Sequence, residues 1–203
     1  YGVLTEEEKD DKTRLDKDIV WIIDPLDGTK EFIKRLGEFT VNIALCKEKR
    51  AVLGVIYVPV TKELYFAAEN KGAYYQKGTE TKKIQVTTNC KIEDMIAVKS
   101  RSHASKALQN ILQKFKEIKI SGSSIKGCLI AKAEADVYIR LGPTNEWDIC
   151  AMNCIVCEAG GSMTDLQGNI LKYNQENTLN QGFVVSNNKI HKELLKLIKY
   201  GQA

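Results

Sequence analysis

The chain has 203 residues, of which 43% are hydrophobic and 28% are charged, and its formal net charge at pH 7 is +4. This length and composition suffice for a single globular domain with a hydrophobic core. No stretch approaches the roughly 18 apolar residues that a membrane-spanning helix needs, and no signal-peptide pattern precedes the first strand. The small positive charge is carried by scattered lysines, which argues against a nucleic-acid-binding function.

The first half of the chain predicts an antiparallel sheet. Residues 3–4 read as the end of a strand, residues 9–18 as a solvated charged loop, and residues 19–23 as a buried strand. Further β-rich runs, separated by charged or Gly-containing turns, follow at residues 39–46, 51–60, 64–68, 72–76 and 83–86. We expect this meander to form a first lobe, at about residues 1–93.

From about residue 94 the pattern changes to alternating strands and helices. Helices are predicted at residues 104–115, 125–135, 147–159 and 190–200, and short strands at 95–98, 118–120, 136–141, 162–164 and 182–186. Such alternation is typical of a mixed sheet with helix cover. The second lobe would span about residues 94–203, and both lobes would belong to one domain. His191 falls on the polar face of the last helix, where we expect it to be solvated.

The six cysteines are predicted to be mostly buried and reduced. Cys150, Cys154 and Cys157 share one face of a predicted helix, and no histidine lies near them, so a metal cluster is the less favoured interpretation. Together with Cys46 and Cys128 they lie in apolar patterns. Reduced cysteines indicate a reducing, cytoplasmic compartment.

One motif combines acids, a glycine and a possible helix start. The apolar run at residues 19–23 ends in Asp24 and Asp27, with Pro25 between them and Gly28 after them. Pro25 prevents a helix here, and Gly28 allows a close approach of the backbone to a ligand. Carboxylate and carbonyl oxygens suit Mg²⁺, whereas free N–H groups at a helix start suit phosphate. The alternative is an ordinary turn rich in Asp and Gly.

A second motif begins an apolar helix. Asp148 follows Trp147 at the start of this helix, which ends at Gly160 and Gly161. An Asp at this position is most often a helix cap. This helix, however, is too apolar to be exposed, so its first carboxylate could also reach a metal.

Together, these motifs resemble the paired signatures of the inositol-monophosphatase-like family, which are Asp24-Pro25-Leu26-Asp27-Gly28-Thr29 and, later, Trp147-Asp148 with Ala151 and Ala159-Gly160-Gly161. Leu4-Thr5-Glu6-Glu7 is similar to the family's Leu-Ser-Glu-Glu. The resemblance covers nearly the whole chain and implies an α+β fold, a layered α-β-α-β-α sandwich. Within the family, several stretches resemble the CysQ-type 3′(2′),5′-bisphosphate nucleotidases, at residues 28–33, 37–44, 100–103, 122–126 and 142–145.

The resemblance implies a lithium-sensitive hydrolase that uses roughly two or three Mg²⁺ ions. Its substrate would be adenosine 3′,5′-bisphosphate, a by-product of sulfate assimilation, and its products AMP and phosphate. The implied metal ligands are Glu6, Asp24, the carbonyl of Leu26, Asp27 and Asp148. Glu6 and Thr29 would orient the attacking water. The implied substrate contacts come from Gly28, Thr29, Lys30, His103, Ser123, Lys126 and Arg140.

Plainer interpretations of the substrate contacts remain open at this point. Lys126 and Arg140 could be ordinary surface charges, and His103 could start a helix without binding a ligand. Ser123 could be the N-cap of the helix at residues 125–135.

Two other functions also remain open. An inositol monophosphatase is disfavoured by residues 30–32 and 100–103. A non-catalytic metal- or nucleotide-binding homologue, or an inactive fragment, is kept open because family members usually carry further N-terminal helices that supply an Asp and a Thr near the metal. Without those helices, the apolar surface that they would cover would favour a homodimer.

Overall fold

Seven strands form a first sheet in chain order. The computed structural model describes residues 1–101 and 105–201. The strands are β1 (Gly2–Thr5), β2 (Ile19–Asp27), β3 (Thr40–Lys47), β4 (Arg50–Val58), β5 (Glu63–Ala68), β6 (Gly72–Lys77) and β7 (Glu80–Ile84). Every neighbouring pair from β2 to β7 is antiparallel, as predicted. β1 pairs with β2 in parallel, contrary to the predicted antiparallel sheet, because the loop at residues 6–18 carries the chain back before β2 begins.

An irregularity in β2 turns both acids of the first motif toward the same side. Side chains alternate between the two faces of a strand, so residues three apart would otherwise point in opposite directions. The register between β2 and β3 shifts between Asp24 and Asp27, where Pro25 cannot donate to the ladder. Asp27 consequently shares with Asp24 the inner face of the sheet, where it contacts the buried side chain of Asn42.

Five shorter strands form a second, mixed sheet, namely β8 (Ile96–Lys99), β9 (Glu117–Ile120), β10 (Val137–Arg140), β12 (Ser162–Thr164) and β14 (Phe183–Ser186). Their order in the sheet is β12-β14-β10-β8-β9. β8 is parallel to β9 and β10, whereas β14 is antiparallel to β10 and β12. A small antiparallel pair consists of β11 (Thr144–Asn145) and β13 (Leu179–Asn180).

Helices separate the two sheets and cover the second one. They are α1 (Thr29–Ile33), α2 (Lys106–Leu112), α3 (Ile125–Ala131), α4 (Glu146–Glu158) and α5 (His191–Gly201), with 3-10 turns at Thr13–Asp16 and Ile92–Asp94. α4 packs on β2 to β6 and against α3, which in turn contacts β10 and β14. α2 and α5 pack together beyond the second sheet. The described residues thus give the layers sheet, helices, sheet, helices, a layered α+β sandwich.

The main hydrophobic core lies around α4 and draws on both halves of the chain. Ile56 from β4 and Ile155 from α4 are both fully buried in it. α4 can approach β4 closely because of Gly54, where an added Cβ would lie 2.4 Å from the main-chain oxygen of Ala151. The predicted division into two lobes near residue 93 coincides with the change of sheet, but it stays a prediction. None of the described helices is long and apolar enough to cross a membrane.

Two polar side chains predicted to be solvated are buried instead. Arg14, in the expected charged loop, is 1% exposed, and its guanidinium contacts Asp10 and Asn174. His191 is 7% exposed because α5 packs this ring toward the second sheet, where its nitrogens lie 2.8 Å from the hydroxyls of Thr164 and Ser186. Both predictions were wrong because charge patterns along the chain do not reveal distant polar partners.

The cysteine prediction is largely confirmed. The cysteines of the chain are free, and Cys46, Cys128, Cys150 and Cys154 are buried. Cys157 is exposed, contrary to the prediction. It lies in the last turn of α4, close to the helix end, where the core no longer covers it.

Candidate active site

Asp24 is the most deeply buried acid of the first motif. Its side chain is 0% exposed, and its Oδ1 accepts a hydrogen bond of 2.9 Å from the main-chain N–H of Leu26. Its Oδ2 is buried without a hydrogen-bond partner among the described residues. A buried carboxylate oxygen without a partner is costly, so this atom is free to accept a cation or a donor from a ligand.

Three carboxylates from three elements converge at this point. Glu6 follows β1, Asp24 lies in β2, and Asp148 lies in the first turn of α4; one oxygen of each lies within 4.8 Å of the others. The N–H of Glu6 donates to the carbonyl of Ile23 at 3.4 Å, which keeps the end of β1 beside β2. Such a set of hard oxygen donors fits Mg²⁺.

Asp148 is both a helix cap and a member of the carboxylate cluster. Its Oδ2 accepts a 3.1 Å hydrogen bond from the N–H of Asn145, which forms half of a capping box at the start of α4. The capping interpretation from the sequence is therefore correct, but it does not compete with a metal-facing role, because the cluster needs only one oxygen of Asp148.

The electrostatics of the cluster favour a bound cation. Burial, followed by the negative charge of Asp27, raises the pKa of Asp24 to about 8 and that of Asp148 to about 7. Loss of water around its carboxylate, together with the negative charges of Glu7 and Asp27, raises the pKa of Glu6. Burial is the main cause of these shifts and repulsion between the acids adds to it, and a divalent ion would favour the charged carboxylates against both.

Asp27 lies beside the cluster and is held by hydrogen bonds. Its Oδ2 contacts the hydroxyls of Thr40 at 3.3 Å and Ser124 at 2.8 Å, and the amide of Asn42 at 3.2 Å. Its Oδ1 has no hydrogen bond within residues 1–101 and 105–201. One oxygen is therefore fixed, and the other is available to a cation.

The turn after Asp27 leads into α1 through a glycine in a left-handed conformation. Gly28 precedes α1 with φ 94°, a left-handed conformation that favours glycine. An added Cβ there would lie 3.3 Å from the side chain of Ser123. The hydroxyl of Thr29 lies 3.5 Å from the carbonyl of Leu26. This carbonyl, a predicted metal ligand, is thus directed toward the same turn as Thr29.

A cavity of about 540 Å³ opens beside the carboxylates. Many of the sequence-predicted residues line it, namely Asp27, Gly28, Lys30, Ser123, Lys126, Arg140 and Asp148. Lys34 and Arg101, which were absent from the predicted site, also line it. The cavity therefore has acids at one end and several cations on its walls, an arrangement that suits an anionic ligand.

Lys126 is not an ordinary surface charge. It is 6% exposed, its ammonium donates to the carbonyl of Ser123, and it lies 5.2 Å from the centre of the Tyr138 ring. A buried ammonium with a carbonyl and a ring as neighbours retains capacity for an anion, because it has three donors. This excludes the surface-charge alternative for Lys126.

Arg140 and Ser123 each present a polar atom without a partner. The guanidinium of Arg140 donates to the carbonyl of Pro143 at 3.2 Å, but its Nε is buried and unpaired among the described residues. The same holds for the hydroxyl oxygen of Ser123, whose φ of 42° is unusual for a residue other than glycine. The N-cap position before α3 belongs to Ser124, so the capping interpretation of Ser123 was wrong.

Several residues of the site were missed by sequence reasoning. Ser124 and Asn42 contact Asp27. The carboxylate of Glu38 contacts Arg101 and accepts a hydrogen bond of 2.8 Å from the N–H of Gly122. Ser124, Glu38 and Asn42 all occur in stretches that resemble the family, which was the available signal. His103, a predicted substrate contact, lies outside the described residues.

The fold and the cluster define a layered α+β protein with a candidate metal centre between its sheets. The chain belongs to the inositol monophosphatase family, which it matches over residues 2–201. It is 47% identical over 169 residues to the 3′(2′),5′-bisphosphate nucleotidase CysQ of Salmonella typhimurium, covering 82% of this chain and 67% of that protein. The CysQ of Buchnera aphidicola is 43% identical, with 82% of this chain and 63% of that protein covered.

Solved structures agree with this assignment. A crystal structure of CysQ from Bacteroides thetaiotaomicron is 42% identical and superposes with a TM-score of 0.82, covering 92% of this chain and 76% of that one. The IMPase of Thermotoga maritima is 28% identical with a TM-score of 0.81, covering 99% of this chain and 75% of that one. The predicted membership in this family is confirmed.

Proposed function

We propose that this chain is a Mg²⁺-dependent 3′(2′),5′-bisphosphate nucleotidase that hydrolyses the 3′-phosphate of adenosine 3′,5′-bisphosphate to AMP and phosphate. The observation that carries the proposal is the convergence of Glu6, Asp24 and Asp148 within 4.8 Å at a cavity lined by cations. It is supported by the 47% identity to a protein named for this activity.

The residues present fit a hard divalent cation. Mg²⁺ would be held by Glu6, Asp24, Asp27, Asp148 and the carbonyl of Leu26. The clearest support is Oδ2 of Asp24, which is buried without a hydrogen-bond partner among the described residues. When bound, such ions neutralise phosphate charge, lower the pKa of water and stabilise a leaving oxygen. The number of ions, two or three by resemblance to the family, is part of the proposal.

The remaining groups would orient water and substrate. Glu6 accepts a proton or hydrogen bond from the attacking water, and the hydroxyl of Thr29, beside the Leu26 carbonyl, helps to position it. The N–H groups of Gly28 and Thr29 hold oxygens of the phosphate that is removed. In this proposal proton transfer relies on carboxylates, because metal-bound water has a lowered pKa and needs no histidine base.

The second phosphate would bind at the cationic walls of the cavity. Lys126 offers a buried ammonium and Arg140 an unpaired Nε, while Lys30 is exposed at the rim. The hydroxyl of Ser123 is free to accept or donate toward the same ligand. The contact of His103 with the nucleoside is retained in this proposal. We further propose that the protein recycles the by-product of sulfate assimilation in the cytoplasm, that lithium inhibits it, and that it forms a homodimer.

The direct test is phosphate release from adenosine 3′,5′-bisphosphate and from inositol 1-phosphate, each with and without Mg²⁺. We expect Mg²⁺-dependent release that favours the nucleotide and falls on addition of lithium. Preference for inositol 1-phosphate would instead identify an inositol monophosphatase. No release from either substrate, with Mg²⁺ binding retained, would identify a non-catalytic homologue.

A further inference from the structure

Ser124 occupies a central position between two candidate metal ligands. It is 3% exposed and lies at the N-cap of α3, between the two sheets. Its hydroxyl oxygen is 2.8 Å from Oδ2 of Asp27 and 2.7 Å from the main-chain oxygen of Asp148. One side chain therefore contacts β2 and α4, two elements that are distant in sequence and that each supply an acid to the cluster.

A third contact completes the environment of this hydroxyl. The amide of Asn42, which is 1% exposed, donates to Ser124 at 2.9 Å and to Asp27 at 3.2 Å. A serine hydroxyl has one proton to donate and two lone pairs to accept. With Asn42 as donor, the one proton of Ser124 goes either to the carboxylate of Asp27 or to the main-chain carbonyl of Asp148, so the two contacts share this single proton.

We propose that Ser124 is a positioning residue that sets the relative placement of Asp27 and Asp148 and so determines the affinity for Mg²⁺. The proposal rests on the proposed function, since it assumes that these acids hold the ion. Groups that hydrogen-bond to metal ligands orient them, and their loss commonly lowers metal affinity by about 10- to 100-fold. Because Oδ2 of Asp27 is held by hydrogen bonds, Oδ1 is the oxygen that would bind the cation.

The neighbouring Ser123 has a different role. Its hydroxyl has no partner among the described residues and belongs to the cavity wall, whereas that of Ser124 is fully engaged with protein groups. The two adjacent serines thus have different roles. Ser123 contributes to the cavity wall, and Ser124 positions Asp27 and Asp148. Substitutions at the two positions should consequently affect substrate and metal separately.

The test is Mg²⁺ binding to the full chain, measured by calorimetry without substrate. Ser124→Ala should raise the Kd for Mg²⁺ by about 10-fold or more, with a parallel rise in the Mg²⁺ concentration needed for half-maximal activity. The KM for the nucleotide at saturating Mg²⁺ should change little. Ser124→Thr, which keeps the hydroxyl, should recover most of the affinity. Ser162→Ala on β12, outside the residues that line the cavity, is the matched control and should bind as the wild type does.

A role limited to stability would give a different result. In that case Ser124→Ala would lower the melting temperature but leave the Kd of the folded protein unchanged, which would overturn the proposal. If Ser124→Ala does not fold, Ser124→Cys provides the test, because its thiol fills the same space but is only a weak hydrogen-bond donor. A wild-type affinity for Mg²⁺ in Ser124→Cys would also overturn the proposal. A wild-type chain that binds no Mg²⁺ would refute the proposed function itself, and with it this inference.

Discussion

Arg14 and Asn174 are joined across the molecule by a hydrogen bond of 2.6 Å between the guanidinium and the side-chain oxygen. The backbone N–H of Asn174 donates in turn to the carboxylate of Glu146, at 2.6 Å, in the first turn of α4. Asp148 lies in that same turn of α4. The buried network therefore connects the loop after Glu6, which carries Arg14, to the helix that carries Asp148. The network stabilises the base of the candidate site.

Arg14→Ala should therefore destabilise the protein strongly. Removing one member of a buried ionic network leaves the other groups unpaired, and we expect the free energy of unfolding to fall by about 3 kcal/mol. Denaturant unfolding measures this change. Arg50→Ala is the matched control, because Arg50 forms an exposed ion pair with Glu69, and it should cost less than about 1 kcal/mol. Equal effects of the two substitutions would contradict the structural role of Arg14.

Asp24→Asn and Asp148→Asn should each abolish turnover while leaving the fold intact. Removal of a negative ligand lowers cation binding, and a loss of several kcal/mol of charge stabilisation corresponds to a fall of about 1,000-fold or more in kcat/KM. Initial-rate measurements over a range of Mg²⁺ concentrations test this. The exposed Asp16→Asn should behave as the wild type. Near-normal activity in either cluster variant would refute the metal assignment.

The stability of the metal-free protein should fall as the pH rises. The folded-state pKa values of Asp24, about 8, and Asp148, about 7, lie above the ordinary range for carboxylic acids. The folded state thus binds more protons than the unfolded state, and the stability present below about pH 4 is lost progressively up to about pH 8. Melting temperatures in a chelator at several pH values measure this decline.

Added Mg²⁺ should reverse this decline at the alkaline end, because its binding requires the deprotonated carboxylates. Asp24→Asn should flatten the profile in the chelator. A profile that is the same in wild type and Asp24→Asn would show that the cluster is not its source.

His191 should produce a pH effect of the opposite sign. Burial lowers the pKa of this ring below its usual value of 6.5. The unfolded state then binds the proton more readily, so the stability contributed by neutral His191 is complete above pH 6.5 and is lost as the pH falls through the lowered pKa. His191→Gln should remove this component, as a comparison of unfolding free energies at pH 7.5 and pH 5.5 would reveal. An identical difference in both proteins would show that His191 is not the source of this pH effect.

Lys126→Ala should affect bisphosphate substrates more than simple monophosphates. The buried ammonium is proposed to contact the second phosphate, and loss of one charge-assisted hydrogen bond corresponds to roughly a 10-fold rise in KM for the bisphosphate. Parallel kinetics with a nucleoside monophosphate provide the comparison. Lys114→Ala, at an exposed position, is the control. An equal loss on both substrates would remove Lys126 from the second-phosphate site.

The sequence by itself determined the family, the layered α+β architecture and the meander order of the first sheet, but not the strand order of the second. Hydrophobic periodicity and turn residues are local properties, so they identified the meander of β2 to β6 and the apolar helix α4 without knowledge of their partners. The acids Asp24, Asp27 and Asp148 could be named because they occur in short, specific strings.

Only the tertiary structure decided which polar groups are buried and what each one contacts. Arg14 and His191 appear as surface residues in the sequence, and each is buried because its partners, Asn174 in one case and Thr164 in the other, are remote along the chain. The adjacent Ser123 and Ser124 are equivalent in composition, yet a φ of 42° at Ser123 separates the directions of their side chains. Hydrogen bonding depends on distance and direction in space, and one-dimensional spacing does not contain either.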